Sequence, residues 1–154
     1  MTEVLALKWV DIPPVWLAVC LGFTWGLSEL APGLAVHLAA TRILGVAAVV
    51  MGCLAMLAGL VELLRQRTTF VPRQNPTGFA RGGIYQLTRN PIYLGDALVL
   101  TGAVLWWDVW PALILVPGFM LFITRRFIFD EENRLRGSFG PDVEVWFGEV
   151  RRWL

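Results

Sequence analysis

Residues 38–64 read LAATRILGVAAVVMGCLAMLAGLVELL, and this stretch decides the class of fold. Only Arg42 and Glu62 within it are charged. About 20 apolar residues suffice to cross a bilayer as a helix, at about 1.5 Å of rise per residue. The stretch is longer than that, so it predicts a helix that spans a membrane with tilt or projects beyond it.

One face of this helix carries small side chains at alternating spacings of three and four residues. They are Thr41, Gly45, Ala48, Gly52, Ala55 and Gly59. Small residues let two backbones approach closely in a membrane, where association depends on packing. We therefore predict that this face packs against another helix, and a groove that admits a ligand is the alternative. Glu62 continues the stripe and should face protein or a polar cavity.

Three further apolar runs accompany this stretch, which makes about four spans. The expected spans are 13–31, 38–64, 92–107 and 110–129. The third covers only about 24 Å as a helix, so it needs flanking residues to cross. The third run and the fourth are joined by the short stretch Trp107-Asp108-Val109, which predicts a tight antiparallel hairpin. The expected fold class is an all-α, polytopic transmembrane helix bundle that forms a single membrane domain over residues 1–154.

The composition agrees with a membrane protein. Of the 154 residues, 56% are hydrophobic and 16% are charged, and the mean hydropathy is +0.62. A soluble domain carries about a quarter charged residues, mixed among apolar ones. Here the charges cluster between the apolar runs, and several of the eight Trp, such as Trp106, Trp107 and Trp110, lie at the edges of those runs, as is typical of bilayer-embedded chains.

The thirteen Lys and Arg residues are distributed unevenly. Twelve lie before the first run, between the second and third runs, or at the end of the fourth run and beyond it, and only Arg42 lies on the other side. Basic residues collect in cytoplasmic loops. We therefore expect both termini, the loop 65–91 and the C-terminal segment 130–154 to be cytoplasmic. A net charge of +1 gives no indication of a nucleic-acid partner.

Several classes of site are excluded by the residues present. Cys20 and Cys53 both lie inside apolar runs without a CxxC motif, and His37 has no helper residues beside it. Neither a disulfide framework, a metal site nor a catalytic triad is expected. Gly82-Gly83 is not a GxGxxG fingerprint and follows no predicted strand, so a Rossmann nucleotide fold is excluded.

The N-terminal segment differs from a signal peptide. It places Glu3 and Asp11 beside the single Lys8, and the first apolar run opens with two prolines. We expect residues 1–31 to be retained in the mature protein.

The polar residues form two ordered motifs on the expected cytoplasmic side. The first is Gly83-Ile84-Tyr85 followed by Arg89-Asn90-Pro91-Ile92-Tyr93-Leu94-Gly95, with Thr68-Thr69 upstream. The second comprises Glu131-Glu132, Leu135, Phe139-Gly140, Trp146, Val150 and Arg152-Trp153. Over residues 65–154 this pattern resembles bacterial-type members of the isoprenylcysteine carboxyl methyltransferase family, which is related to phospholipid N-methyltransferases. The first two helices match that family only in hydropathy.

This resemblance implies an intramembrane methyltransferase whose loop and C-terminal helix form a non-Rossmann site for S-adenosylmethionine. The cofactor would enter from the cytoplasm and a lipophilic substrate from the bilayer, in a bacterial inner membrane. Arg89 and Asn90 would be catalytic, and no metal would be needed. The expected cofactor-binding residues are Tyr85, Arg89, Asn90, Pro91, Tyr93, Leu94, Gly95, Glu131 and Glu132.

The residue types suit those roles. The carboxylates of Glu131 and Glu132 match the ammonium group and ribose hydroxyls of the cofactor, and Arg89 matches its carboxylate. Tyr85 and Tyr93 would pack against the adenine or the sulfonium. Asp96 lies one turn into the third helix, where an ionisable group is either functional or hydrated at the interface.

The pattern departs from the family at three positions. Asn90 stands where well-studied members have His, and Val143 and Trp146 replace tyrosines common in the tail. Asn cannot act as a base near neutral pH, so the methyl acceptor stays open between a carboxylate, an amine and a thiol. The alternative function is a non-catalytic membrane scaffold or lipid-binding protein that keeps the family fold. A transporter is disfavoured, since only Asp96 and Glu62 would line a polar path.

Overall fold

The computed structural model describes residues 11–34, 38–68 and 78–154. Every regular element in these ranges is helical, which confirms the all-α class. We label the α-helices α1 (Pro13–Leu30), α2 (Ala39–Arg65), α3 (Pro91–Trp106), α4 (Leu115–Ile123), α5 (Phe129–Phe139) and α6 (Pro141–Glu149). The predictions that involve Glu3, Lys8, His37 and Thr69 fall outside the described residues.

Proline and glycine set several helix ends. Pro13, Pro91 and Pro141 each occupy the first position of a helix, where the missing N–H would have no partner in the helix anyway. Gly140 has a φ of 59° and separates α5 from α6, because a residue without Cβ adopts this conformation at little cost. The expected C-terminal helix is therefore two helices joined at a sharp turn.

The fourth apolar run forms one long, irregular helix. A 3-10 turn, Trp110–Ile114, leads into α4, and a π turn, Thr124–Ile128, leads from α4 into α5. Pro117 lies in the first turn of α4, just after the change from 3-10 to α geometry. The apolar α4 and the polar α5 are therefore parts of one continuous helix.

The small-residue face of α2 packs against α3, as predicted. A Cβ placed on Gly45 would lie 2.8 Å from the carbonyl oxygen of Gly102, and one on Gly52 would lie 2.6 Å from that of Gly95. Gly59 meets the ring of Pro91 in the same way. The two backbones therefore touch along the whole length of α3, and this contact fixes where the first turn of α3 lies.

Two helices are long and apolar enough to cross a membrane. An 18-residue stretch of each helix has a high mean hydropathy, 2.5 in Ala39–Arg65 and 1.8 in Trp110–Phe139. Only 22% of the stretch in α2 is buried, and large side chains such as Ile43 and Leu54 are exposed, whereas the core helix of a soluble protein would be mostly covered. The helices α1 and α3 do not pass the same test, so the count of four spans stays a prediction.

A buried cluster and two polar links hold the bundle together. Leu100 of α3 and Ile123 of α4 are fully buried, and Trp16 of α1 packs against the same cluster. In the three-residue connection between α3 and Trp110, Asp108 accepts a hydrogen bond from the hydroxyl of Thr41. Asp11 accepts one from the indole of Trp16 at 3.1 Å and also pairs with Arg126, which holds the start of α1 in place.

Candidate active site

The described residues enclose one large cavity of about 690 Å³. Its walls come from α2, α3, α5, α6, the segment 78–90 and residues 12–14 at the start of α1. Binding sites for small molecules typically measure roughly 300–1,000 Å³. The cavity is therefore large enough to hold a nucleoside-sized ligand.

Part of the cavity lining is apolar, and we call this part the apolar end. It is lined by Pro14 of α1, by Met56, Leu57 and Leu60 of α2, and by Ile92 of α3. The helices α1 and α2 both pack on α3 but make little contact with each other. Leu57 is 57% exposed at this gap. The apolar end therefore consists of side chains from three helices, and one of them, Leu57, is also largely exposed.

The rest of the lining, which we call the polar end, contains most of the site residues that the sequence predicts. Tyr85, Arg89, Asn90, Pro91, Tyr93, Glu131 and Glu132 all line it. The predicted residues Leu94 and Gly95 are not among the lining residues. Gly95 faces the opposite side of α3, where it contacts Gly52 and Met56. Its part in the motif is therefore helix packing.

Tyr93 and Glu131 join α3 to α5 across the cavity. The hydroxyl of Tyr93, in the first turn of α3, donates a hydrogen bond of 2.6 Å to the carboxylate of Glu131. Tyr85 is buried nearby in the 3-10 turn Gly83–Gln86. Burial raises the pKa of the Tyr85 phenol, and the charges of Glu131 and Glu62 raise it further. Tyr85 is therefore a neutral hydroxyl group at neutral pH.

Glu132 is held by two arginines. The Nε and Nη2 atoms of Arg152 donate to its two carboxylate oxygens at 2.9 and 2.8 Å, and Nη1 of Arg89 lies 3.2 Å from Oε1. Burial lowers the pKa of Arg89 while the charge of Glu132 opposes that effect, and the hydrogen bond to Glu132 raises the pKa of Arg152. The carboxylate predicted to bind cofactor is thus engaged within the protein.

Asn90 also makes an internal contact. Its side-chain Nδ2 donates to the carbonyl oxygen of Arg152 at 2.9 Å. The Thr88 hydroxyl donates to the same oxygen, and the backbone N–H of Arg89 donates to the carbonyl of Arg151 at 3.0 Å. Residues 88–90 are therefore hydrogen-bonded to the segment that follows α6. Asn90 contributes one of these hydrogen bonds and also lines the cavity.

An aromatic wall from α6 closes the polar end. Trp146 is 5% exposed and packs edge-on against Phe79. The guanidinium of Arg89 lies over the ring of Phe147, 4.3 Å from its centroid. Two buried N–H groups, Nε of Arg89 and Nε1 of Trp146, have no hydrogen-bond partner among the described residues. Both belong to residues that line the cavity.

Sequence reasoning missed part of this site. Trp146 is part of the second motif but is not among the predicted cofactor-binding residues, and Met56, Arg134 and Phe147 are not singled out although all three line the cavity. Arg134 falls three residues after Glu131 on α5, a spacing that places both side chains on one helix face. Asp96, left open between two roles, is buried and lines the cavity as well.

Comparison with known families agrees with this geometry. The phospholipid methyltransferase family matches residues 40–142, about two thirds of the chain. The matched range contains α2 to α5 and therefore the glycine-packed helix pair, the first motif and the paired glutamates. No curated protein and no solved structure matches the chain. The matched family is related to the isoprenylcysteine carboxyl methyltransferase family, which the motifs resemble. The chain belongs to the phospholipid methyltransferase family.

Proposed function

We propose that the protein transfers a methyl group from S-adenosylmethionine to a lipophilic or membrane-associated small substrate. The observation that carries this proposal is a cavity lined both by apolar side chains of α1 and α2 and by residues of the two motifs. Family membership supports methyl transfer and a lipid-type acceptor. The cavity supports the same chemistry because its lining combines apolar side chains with the polar residues of the two motifs.

The polar end offers a suitable group for each part of the cofactor. The carboxylate of Glu131 fits an ammonium group or a ribose hydroxyl. The half-buried guanidinium of Arg134 forms no ion pair with a described residue and fits a carboxylate. The aromatic side chains of Trp146 and Tyr85 line the cavity and fit an adenine ring. The residues present therefore fit S-adenosylmethionine.

The bound cofactor would supply an electrophilic methyl group on a sulfonium. The protein's contribution is to position two reactants in line and to exclude water. Pro91 and Tyr93 place the first turn of α3 between the two ends of the cavity. Glu132, Arg89 and Arg152 hold the segment after α6 against the motif, so the wall formed by α6 covers the polar end.

The direction of entry follows from the charge distribution. Arg89 and Arg134 line the polar end, whereas the lining from α1 and α2 is apolar. We propose that the cofactor enters from the cytoplasm and that the lipophilic substrate enters from the bilayer. The proposed location is a bacterial inner membrane with both termini on the cytoplasmic side, and the uneven distribution of Lys and Arg supports it.

Calorimetry with S-adenosylhomocysteine tests the proposal. The purified protein should bind it in detergent and in nanodiscs, and Glu131→Gln should weaken binding about tenfold because a charge-assisted contact is lost. Glu144→Gln is the matched control, since Glu144 is exposed on α6 and pairs only with Arg136. Absence of binding in both environments, together with no transfer of radiolabelled methyl groups to a lipid extract, would rule the function out.

A non-catalytic scaffold is the second candidate. The observation that favours it is that Glu132 and Asn90 are both used to fasten the segment after α6. A scaffold of this kind would keep the bundle and the fastened segment without binding S-adenosylhomocysteine. The same calorimetric measurement therefore separates the two functions.

A further inference from the structure

Asp96 is a buried carboxylate without a partner. It lies on α3, four residues after Ile92, is 4% exposed and lines the cavity. It forms no hydrogen bond and no ion pair with any residue in the described ranges. An isolated carboxylate in an apolar surrounding is costly and is rarely retained in a membrane helix without a function.

The other acidic groups of the cavity differ from Asp96 in this respect. Glu131 accepts a hydrogen bond from Tyr93, and Glu132 is paired with Arg89 and Arg152. The arginines of the polar end therefore do not neutralise Asp96. The protein supplies a hydrogen-bonding partner for two of the three cavity carboxylates and leaves the third for a ligand.

The position of Asp96 indicates which ligand would meet it. Tyr93 precedes it by three residues and Ile92 by four, so all three lie on neighbouring parts of one helix face. Tyr93 is polar, whereas Ile92 and Met56 are apolar, and all three line the cavity together with Asp96. A molecule whose apolar chain enters between α1 and α2 would bring its polar head group to Asp96.

We infer that Asp96 determines acceptor specificity by binding an amine head group and by disfavouring a carboxylate. This inference rests on the proposed methyl transfer. An ammonium group would form a charge-assisted hydrogen bond with Asp96, whereas a second carboxylate would be repelled in a site of low dielectric constant. A thiol is a weak donor and would gain little from the contact.

The same contact allows a balanced reaction. Asp96 would accept one proton from the bound ammonium group, which leaves a neutral amine with a free electron pair. That pair forms the new N–C bond as the S–C bond breaks, and the electrons of the broken bond stay on sulfur. The product is a methylated ammonium, and Asp96 keeps the transferred proton until the product leaves.

Three probes with the same chain and different head groups test the inference: dodecylamine, dodecanoate and dodecanethiol in phosphatidylcholine nanodiscs. Wild-type protein should bind and methylate dodecylamine in preference to the other two. Asp96→Asn keeps the shape and removes the charge, and should weaken dodecylamine binding about tenfold while dodecanoate binding improves. Asp142→Asn, at an exposed position of α6 outside the cavity, is the matched control.

Binding of S-adenosylhomocysteine separates this inference from the proposed function. It should be equal in wild type, Asp96→Asn and Asp142→Asn, which also shows that the variants are folded, and Asp96→Ala provides a second variant of the same kind. A wild-type preference for dodecanoate, or an unchanged preference in both Asp96 variants, would overturn the role of Asp96. If wild-type protein does not bind S-adenosylhomocysteine but its head-group preference still depends on Asp96, the proposed methyl transfer would be refuted and the role of Asp96 would not.

Discussion

Arg152 and Glu132 form a two-pronged ion pair in which Nε and Nη2 donate to the two carboxylate oxygens at 2.9 and 2.8 Å. This geometry matches the planar fork of a guanidinium to a carboxylate. It links the segment after α6 to the first turn of α5, and Arg89 brings residues 88–90 to the same carboxylate. One glutamate thus connects both sequence motifs and keeps α6 over the cavity.

Replacement of Arg152 should loosen this connection. Arg152→Ala leaves the carboxylate of Glu132 with only the Arg89 contact, so we expect a loss of about 1–3 kcal/mol in the free energy of unfolding. Arg151→Ala is the matched control, because the exposed Arg151 contributes its backbone carbonyl to the link with Arg89. Thermal unfolding followed by near-UV circular dichroism measures both. Equal stability of the two variants would contradict the structural role of the ion pair.

The close approach of α2 and α3 gives a second prediction. Gly52→Ala would place a Cβ 2.6 Å from the carbonyl oxygen of Gly95 and 3.0 Å from Val99, so the helices must separate. We expect a cost of about 1–3 kcal/mol in the free energy of unfolding. Gly22→Ala in α1 meets no atom within 4 Å and should be neutral or stabilise by up to about 1 kcal/mol. A comparable loss in both variants would show that the contact between α2 and α3 is looser than described.

The buried phenol of Tyr85 gives a spectroscopic prediction. The chain has two tyrosines, so Tyr93→Phe leaves Tyr85 as the only one. Burial, and then the charges of Glu131 and Glu62, raise its pKa above the ordinary value of 10.0, so the folded protein should show no phenolate absorbance at that pH. Unfolding there releases a proton, so the stability contributed by the neutral phenol is present below pH 10 and falls as the pH rises above it.

Absorbance near 295 nm as a function of pH measures this titration in the folded and denatured states. The denatured chain, titrating near the ordinary value, is the internal control. A folded-state midpoint at the ordinary value would mean that Tyr85 is in contact with water, and the cavity would then be open at its polar end.

Several features of the fold could be predicted because they depend on local periodicity. The small residues from Thr41 to Gly59 share one helix face whatever the rest of the chain does, and they do pack against a neighbouring helix. Pro91 suits the first position of a helix because its ring fixes φ and it has no N–H to satisfy, and α3 begins there. The all-α class follows from apolar runs long enough to form membrane helices.

The pairings within the site could not be predicted in the same way. Asn90 binds a carbonyl 62 residues away, and Arg152 binds Glu132 across 20 residues. Such contacts depend on how α3 and α5 are rotated about their axes and on the path of the chain after Gly140. The motif spacing placed Gly95 and Tyr93 together, but the contact between α2 and α3 turns Gly95 away from the cavity and Tyr93 towards it.

The sequence by itself determined the class of fold, the glycine-lined contact face of α2 and the two motifs that identify the family, since each depends on the order and type of neighbouring residues. Only the tertiary structure decided which carboxylates are paired. Tyr93 meets Glu131, two arginines meet Glu132, and Asp96 lines the cavity without a partner among the described residues. The physical reason is that the partners of a buried charge come from distant parts of the chain. The packing of the helices determines which of these side chains come within reach.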